Sequence, residues 1–408
     1  MILKALCNHF ANSEISAEMD KPSVLILING YHPKIGGAER QAEALALALL
    51  KNGCRVQVLT LRFDKSLKKD EVVNGIPVTR ISYPSLPFLG TFVYMIKVFL
   101  YLYRTRTVWD VYYVVIVEYF AFAASLFGKI FRKPVVLKFT GLGLFGVEYI
   151  RGRRFTGLLS WAIKKADAYI AVSREIRREL ISFGLPETKV YYLPNGVDCS
   201  TFKPPTQDEK KEIRSRLKIK DVFTFVFAGR FVPVKDIPGL LKAWRHVTKR
   251  STDMQLLLIG NGILFEEMDR LVIELGLKEN THLLGRRDDI SDIYRAADVG
   301  VLPSHNEGLS NVLLEMMASG LLVVATDIDT NADVIESDVS GLLFRPGDVY
   351  GLSNTIYKAY SNYAAYGPLM GLARAKIEKE YSIDSVASSY VSIFDDIRIK
   401  KGISSNDN

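Results

Sequence analysis

Cysteine is scarce in this sequence, and the three that occur lie far apart. Cys7, Cys54 and Cys199 form no CxxC pair and no Cys/His cluster with the spacing of zinc ligands. Three distant thiols do not make a disulfide framework, which indicates a reducing compartment. We therefore predict a cytoplasmic protein without structural zinc.

Long uninterrupted apolar runs are also missing. The runs over 86–103 and 111–127 are interrupted by Pro87 and Lys97 and by Glu118, whereas a spanning helix needs about 20 apolar residues in succession. We predict no transmembrane segment. Residues 1–22 lack an apolar core long enough for a signal peptide, so we interpret them as a loose N-terminal extension.

Positive charge is unevenly divided along the chain. Residues 1–200 contain 27 Lys and Arg against 16 Asp and Glu, whereas the remainder contains 26 against 29. A basic first half suits anionic lipid headgroups or a phosphorylated acceptor, which predicts peripheral contact with an anionic membrane. Nucleic acid is the rival partner, but no helix-turn-helix, RNP or zinc-finger pattern is present, so we expect none.

What the chain does contain is a regular alternation of strand-length apolar runs and amphipathic helical patterns. With 408 residues it is long enough for two doubly wound α/β domains, which we place at 23–200 and 201–382. The predicted strands cover 23–29, 55–61, 78–82, 111–117, 135–139, 168–173 and 190–193 in the first domain. In the second they cover 222–228, 255–259, 281–284, 299–303 and 321–326.

Two segments outside these strands complete the predicted organisation. The polar stretch 203–211, with Pro204 and Pro205, is interpreted as the link between the domains. Residues 383–408 are predicted to form a C-terminal helix that crosses back to the first domain, followed by a tail.

Gly36 and Gly37 lie between the first strand and a predicted helix over 38–51. In a βαβ unit such glycines let the backbone approach a ligand above the strand ends. A simple tight turn explains them equally well at this point.

A second glycine group satisfies the dinucleotide spacing GxGxxG. Gly141, Gly143 and Gly146 follow the strand over 135–139, which raises an NAD-dependent oxidoreductase as a hypothesis. Two facts weaken it. The motif follows a late strand, and Asp167 precedes its strand, whereas the acid of a dinucleotide site follows one.

Residues 303–320, PSHNEGLSNVLLEMMASG, place Glu307 and Glu315 around the start of a predicted helix. A helix N-terminus presents unpaired N–H groups and partial positive charge, so it can hold a phosphate. The predicted cradle consists of Gly308, Leu309, Ser310 and Asn311. The two acids either bind hydroxyls or simply face solvent. A ligand with a central diphosphate and a sugar at each end, a nucleotide sugar, fits the first alternative.

Five motifs, in order, resemble those of the retaining GT-B glycosyltransferases of family four, over nearly the whole chain after residue 22. They are GGAE at 36–39, NGVD at 195–198, AGRFVPVKD at 228–236, the acids at 307 and 315, and SGLLFRPGD at 340–348. The resemblance implies two Rossmann-like domains that face a central cleft. It further implies transfer, with retention, from a nucleotide diphosphate sugar to a saccharide or lipid-linked saccharide. A UDP-sugar is favoured over a GDP-sugar, and the products are cell-surface polysaccharides or glycolipids.

The resemblance also implies roles for individual residues. Arg230 and Lys235 would bind the diphosphate and, with Glu307, carry the catalysis, since cations stabilise the departing phosphate. Glu307 would bind hydroxyls of the donor sugar and Glu315 those of the ribose. The remaining donor-binding residues would be Gly36, Gly37, Gly285 and Arg286, and residues 285–287 would line the base. Neither an enzymic nucleophile nor a metal or other cofactor is implied.

Two departures from the family pattern affect the details. Where many relatives have a histidine after the strand over 135–139, this chain has Thr140 and Gly141; these two and His32 are the acceptor-side candidates, and His305 is a further substitute. The absent histidine, together with the second departure described next, leaves a non-catalytic nucleotide-sugar-binding or membrane scaffold protein as the alternative function.

The second departure follows the strand over 321–326. Many relatives have Gly-Gly and a Glu there, and this chain has Asp329, Thr330 and Asp333, which predicts an unusual donor-sugar preference. The triplet at 327–329 mimics the metal-binding DxD of an unrelated glycosyltransferase fold. Because the surrounding αβ alternation is not that fold, we expect no essential metal.

Overall fold

The computed structural model describes residues 21–33, 36–84, 90–117, 119–141 and 156–403. Two largely parallel sheets follow one another along this part of the chain. Cys7, Glu118, Gly143 and Gly146 lie outside the described residues, and so does most of the predicted N-terminal extension.

The first sheet has eight strands in the order β3-β4-β2-β1-β5-β6-β7-β8. They are β1 (Ser23–Ile28), β2 (Arg55–Arg62), β3 (Asp70–Val73), β4 (Ile76–Ser82), β5 (Val111–Val114), β6 (Val135–Phe139), β7 (Ala168–Ala171) and β8 (Val190–Tyr192). All neighbours pair in parallel except β3 with β4. Every residue of β1 is buried, because helices cover both faces of a parallel sheet.

The edge strand β3 was missed in the sequence. It forms a hairpin with β4 around Asn74 and Gly75, whose φ angles are 50° and 83°. An Asn-Gly pair is the preferred two-residue turn of a hairpin because both residues tolerate positive φ, so the signal was present.

The helices of the first domain cover the faces of this sheet. They are α1 (Gly37–Lys51), α2 (Gly90–Arg104), α3 (Tyr119–Phe131), α4 (Thr156–Ile163) and α5 (Arg174–Ser182). The helix predicted over 38–51 is α1. The residues that directly follow β1 and β6, Asn29 and Thr140, lie at the carboxyl edge of this sheet.

The second sheet has six parallel strands in the order β11-β10-β9-β12-β13-β14. They are β9 (Phe223–Ala228), β10 (Met254–Ile259), β11 (Thr281–Gly285), β12 (Val299–Leu302), β13 (Leu322–Thr326) and β14 (Leu342–Phe344). The short strand β14 had not been predicted. Its helices are α6 (Gln207–Leu217), α7 (Ile237–Thr248), α8 (Phe265–Glu274), α9 (Ile290–Ala296), α10 (Asn311–Ala318), α11 (Asp329–Ala332), α12 (Val349–Ser361) and α13 (Gly367–Lys376).

The predicted link over 203–211 is wrong beyond Pro205, because α6 begins at Gln207. Thr206 caps this helix: its hydroxyl accepts a hydrogen bond from Glu209 N at 3.2 Å, and Glu209 Oε2 accepts one from Thr206 N at 2.8 Å. This reciprocal capping box stabilises a helix start in an otherwise polar stretch.

The last helix, α14 (Ile383–Lys400), packs against the first domain. Its apolar face shares a core with β1 and α1, and Tyr390 is hydrogen-bonded to Tyr113 on β5 at 2.9 Å. The C-terminal part of the second domain is thereby connected to the first by a buried contact.

Candidate functional site

The candidate site lies at the carboxyl ends of the second sheet, where open α/β sheets bind ligands. Gly229 follows β9, Gly260 follows β10 and Gly285 ends β11, and their φ angles are 158°, 135° and 64°. A β-carbon on Gly260 would lie 1.8 Å from the carbonyl oxygen of Gly229, so no larger residue fits. Gly260 was missed as a site residue, although GNG at 260–262 directly after a strand is a signal for it.

Two loops bring Lys235 and Glu307 together. The 3₁₀ turn Pro233–Lys235 follows β9, and the next residue, Asp236, caps α7 by accepting a hydrogen bond from Gly239 N at 3.1 Å. This turn directs the ammonium of Lys235 into an ion pair with the carboxylate of Glu307, and both side chains are nearly buried. The predicted phosphate-binding cation and the predicted sugar-binding acid are therefore in direct contact.

Arg230 and His305 belong to the same two loops as this pair. Arg230 is exposed, and within the described residues its guanidinium forms no ion pair, so its charge is available to an anion in the cleft. His305 is engaged instead: its Nε2 lies 3.5 Å from Asp236 Oδ2, and its backbone N–H donates to the Val234 carbonyl at 2.8 Å. His305 thus connects the two loops.

The start of α10 is where the two domains meet. Ser310 caps the helix, since its hydroxyl accepts a hydrogen bond from Leu313 N at 3.4 Å. The side chain of Asn311 donates to the Gly37 carbonyl at 3.3 Å and accepts from the Asn195 amide at 2.8 Å. The glycine loop at 36–37, the NGVD turn and the predicted phosphate cradle are therefore adjacent.

The loop before α10 touches the first domain at a second point. A β-carbon on Gly308 would lie 2.1 Å from the carbonyl oxygen of Thr140 and 3.3 Å from Gly141 Cα. Leu309 is buried in the apolar core, so only its backbone can belong to a phosphate cradle. Thr140 and Gly141 consequently lie beside the loop that carries Glu307.

His32 does not join them. Its Nε2 lies 3.1 Å from both carboxylate oxygens of Glu43 on α1, and its carbonyl accepts a hydrogen bond from buried Arg80 on β4 at 2.9 Å. These contacts hold His32 on the β2 and β4 side of β1, whereas Thr140 follows β6 on the other side. The three acceptor-side candidates thus belong to two separate loops.

Glu315 lies one turn into α10 and is largely buried. Burial raises the pKa of its carboxyl to about 7, while the positive charge of Arg40 and a hydrogen bond from Tyr294 lower it. The Tyr294 hydroxyl donates to Glu315 Oε2 at 3.5 Å. Arg40 and Tyr294 were both missed in the sequence, because only tertiary packing brings them to this acid.

The loop after β11 contains the predicted base-lining residues. The carbonyl of Gly285 accepts a hydrogen bond from Gly260 N at 2.8 Å, which joins two neighbouring loops. Arg287 makes two bonds to Asp289, at 2.8 and 2.6 Å. Arg286 remains exposed at the cleft and lies 3.9 Å from Asp288.

The acids that follow β13 lie away from the Lys235 loop. Asp333 accepts a hydrogen bond from Arg174 N at 3.0 Å, at the start of α5, and Asp329 pairs with Arg178 at 2.8 Å. Both acids therefore contact the first domain. The two acids that depart from the family pattern thus form polar contacts across the domain interface.

Asp167 lies far from the cleft. It precedes β7, accepts a hydrogen bond from Val135 N at 2.9 Å and pairs with Lys401 at 2.8 Å. This is the amino edge of the parallel sheet, opposite the edge at which nucleotides bind. Its position gives no support to a dinucleotide site.

Comparison with known proteins places the chain among glycosyltransferase sequences. A model of the family Glycosyl transferases group 1 matches residues 208–371, and one of Glycosyltransferase Family 4 matches residues 35–201. The chain is 26% identical over 376 residues to the uncharacterized glycosyltransferase MJ1607 of Methanocaldococcus jannaschii, covering 89% of this chain and 95% of that protein.

A second relative is matched over less of its length. The UDP-Gal:alpha-D-GlcNAc-diphosphoundecaprenol alpha-1,3-galactosyltransferase of Escherichia coli is 29% identical over 174 residues, which is 42% of this chain and 45% of that enzyme.

Solved structures show the same fold. Anabaena Alr3699/HepE in complex with UDP-glucose has a TM-score of 0.76 at 20% identity, covering 92% of this chain and 100% of that one. WaaG, a glycosyltransferase involved in lipopolysaccharide biosynthesis, has a TM-score of 0.70 at 16% identity, covering 91% and 99%. The predicted GT-B fold of two Rossmann-like domains is confirmed.

Proposed function

The chain belongs to the glycosyl transferases group 1 family, whose GT-B enzymes use nucleotide sugars, and from this premise we propose the reaction that it performs. It transfers a sugar, with retention, from a nucleotide diphosphate sugar to a saccharide or lipid-linked saccharide. The product belongs to cell-surface polysaccharide or glycolipid synthesis. A UDP-sugar is the favoured donor, which the HepE complex with UDP-glucose supports. The lipid diphosphate acceptor in the name of the Escherichia coli relative supports the acceptor class.

The ion pair between Lys235 and Glu307 carries this proposal. A diphosphate entering the cleft competes with Glu307 for the ammonium of Lys235, and exposed Arg230, which follows the same strand, is a second cation for it. Neutralising the departing diphosphate is the main electrostatic task of the reaction. The carboxylate released from Lys235 is then free to accept hydrogen bonds from the donor sugar, which matches the role that the family resemblance implies.

Retention requires no enzymic nucleophile in this proposal. The acceptor attacks the face from which the diphosphate leaves, and the departing phosphate takes the acceptor proton. Thr140, beside Gly308, then belongs to the acceptor side of the cleft. Transfer in this scheme needs no divalent metal, so activity measured in the presence of a chelator is expected to be unchanged.

Substitution of the two key residues tests the proposal. We expect Glu315→Ala or Lys235→Ala to abolish transfer while the circular dichroism spectrum remains that of the wild type. Lys242→Ala removes an exposed lysine from α7 and serves as the matched control, with activity retained. Near-normal turnover in either site variant would overturn the assignment.

The scaffold alternative differs in one measurable respect, because a pure binder releases no nucleotide. Thermal-shift measurements with UDP-, GDP- and ADP-sugars identify the donor, since a ligand that binds only the folded state raises the melting temperature. Release of nucleoside diphosphate from that donor, without acceptor, then indicates an enzyme. A donor that stabilises the protein but is never cleaved, with any acceptor, would favour the scaffold.

The membrane partner belongs to the same proposal and depends on α2. One face of this helix is buried, and the opposite face exposes Phe92, Ile96, Leu100 and Tyr103, each 42–58% accessible. Their spacing of three and four residues makes a continuous apolar stripe, and Lys97 and Arg104 lie beside it. An apolar stripe flanked by cations suits the interface of an anionic membrane. None of the described helices is long and apolar enough to cross a bilayer.

Vesicle flotation tests this surface. Wild-type protein should bind vesicles that contain phosphatidylglycerol and bind phosphatidylcholine vesicles weakly. The double variant Ile96→Ser with Leu100→Ser should lose binding, and Ile273→Ser, on exposed α8 of the second domain, should retain it. Equal binding by all three proteins would exclude α2 as the contact.

A further inference from the structure

Three segments meet at the start of α10, and polar side chains join each of them to the other two. The amide of Asn311 links the start of α10 to Gly37, at the start of α1, and to Asn195 in the NGVD turn. Gln41 on α1 makes two bonds to the same turn: its Nε2 donates to the Gly196 carbonyl at 2.9 Å, and its Oε1 accepts from Gly196 N at 3.2 Å. Two helix starts and one turn are thereby bonded into a single cluster.

The NGVD turn is itself anchored to the chain that leads into α14. The N–H of Val197 donates to the Tyr381 carbonyl at 2.8 Å, and the N–H of Ile383 donates to the Val197 carbonyl at 2.9 Å. A β-carbon on Gly196 would lie 2.8 Å from Ile383 Cα, so the turn packs directly against the start of that helix. Because α14 shares a core with β1 and α1, Asn195 has a fixed position in the first domain.

The direction of each hydrogen bond follows from the Gly37 carbonyl, which can only accept. Asn311 therefore presents its Nδ2 to Gly37 and its Oδ1 to Asn195, so Asn195 has to be the donor. The Oδ1 of Asn195 is buried and accepts no hydrogen bond from the described residues, and the residue as a whole is 6% exposed. A buried oxygen without a partner lowers stability. The N–H group, and not the oxygen, is therefore what this amide contributes.

The bond from Asn195 determines how two helix starts face each other. Gly37 and Asn311 are the first residues of α1 and α10, so the two N-termini lie one side chain apart across the domain interface. Each presents unpaired N–H groups and partial positive charge, which suits a diphosphate placed between them. We infer that Asn195 is a positioning residue of the donor site, which acts through Asn311 to hold α1 beside α10 where the diphosphate binds. This inference depends on the proposed function, because it takes that diphosphate as the ligand.

The experiment compares a nucleoside diphosphate with its monophosphate, because only the diphosphate has a second phosphate to lie between the two helix starts. Full-length protein is titrated by calorimetry with UDP, GDP and ADP, and then with the monophosphate of the nucleotide that binds. In Asn195→Leu, affinity for the diphosphate should fall by about tenfold, whereas monophosphate affinity should be unchanged. The melting temperature should not fall, because the unbonded oxygen is removed together with the donor. Asn52→Leu, at the opposite end of α1, is the matched control and should keep both affinities.

A second variant tests whether Asn195 acts through Asn311. Asn311→Ala keeps the backbone N–H groups of α10 but removes the amide that joins Gly37 to Asn195. It should lose diphosphate affinity to the same extent as Asn195→Leu. The double variant should bind no more weakly than Asn311→Ala, since two residues that act as one unit are not additive.

Each other outcome contradicts the inference. Additive losses in the double variant would mean that Asn195 contacts the nucleotide itself. A lower melting temperature with equal losses for diphosphate and monophosphate would mean that Asn195 only supports the fold, and an unchanged diphosphate affinity would mean that the link is dispensable. If the wild type binds none of the three diphosphates, the proposed function itself fails, which is distinct from a wild type that binds while Asn195→Leu binds equally well.

Discussion

Replacement of Lys138 by methionine should stabilise the protein, and the gain should depend on pH. Lys138 lies on β6, two residues before Thr140, and is 3% exposed. No carboxylate among the described residues pairs with it, and its Nζ lies 6.0 Å from the centroid of the Tyr390 ring. Burial without a counter-charge lowers the pKa of its ammonium from 10.5 to about 7.

The magnitude follows from this difference in pKa. At about 1.4 kcal/mol per unit, the fall from 10.5 to about 7 corresponds to a destabilisation of at most about 5 kcal/mol. Between these pH values the unfolded chain holds a proton that the folded protein has released. Wild-type stability therefore rises with pH across this window, and the penalty is fully present below pH 7. Methionine does not titrate, so the advantage of Lys138→Met is largest near pH 6 and declines toward pH 10.

Urea unfolding followed by tryptophan fluorescence at pH 6.5 and pH 9 measures both quantities. After relaxation around the buried charge, we expect Lys138→Met to be more stable by about 2 kcal/mol or more at pH 6.5, with a smaller gain at pH 9. Lys51→Met, at an exposed position, is the control and should change stability by less than about 0.5 kcal/mol at either pH. A gain that does not vary with pH, or a loss at pH 6.5, would refute the reasoning.

Three further substitutions address the start of α10 and the domain interface. Gly308→Ala places a methyl group 2.1 Å from the Thr140 carbonyl oxygen. We therefore expect kcat to fall by about tenfold or more with the fold intact. An unchanged kcat would show that the two domains need not touch there. Ser310→Ala removes the cap of α10 and should lower the free energy of unfolding by about 1 kcal/mol. Ser310→Asn keeps a capping side chain and should lose much less stability. Equal losses in the two variants would exclude capping as the cause. Arg178→Ala breaks an exposed ion pair with Asp329 and should cost less than about 0.5 kcal/mol, so a larger loss in denaturant titration would indicate that this pair holds the domains together.

Most strands and helices could be predicted because their signals are local. A continuous apolar run predicts a buried parallel strand, and a period of 3.6 predicts a helix, whichever part of the fold surrounds them. The misses had local signals as well. Asn74 and Gly75 predict a hairpin, although the pattern analysis assigns no element there. Thr206 with Glu209 predicts a helix start within the polar stretch interpreted as the link between the domains.

The candidate site could be predicted from the sequence only in part. The order of the motifs was sufficient to indicate nucleotide-sugar chemistry, and the strand pattern placed Arg230, Lys235 and Glu307 at one edge of the second sheet. The GGAE motif, however, ends at Glu39, and the next residue, Arg40, lies outside it. Nothing in the local sequence shows that this arginine acts on an acid 275 positions later.

The residue pattern thus predicted the family, the fold and the edge of the second sheet at which the candidate site lies, because periodicity, turn residues and motif order are properties of neighbouring residues. The pairing of Lys235 with Glu307, the contact of Gly308 with Thr140 and the influence of Arg40 on Glu315 depend on the three-dimensional path of the chain. Packing sets which groups lose their water and which charges face one another. The protonation and partners of the site residues are therefore properties of the folded protein.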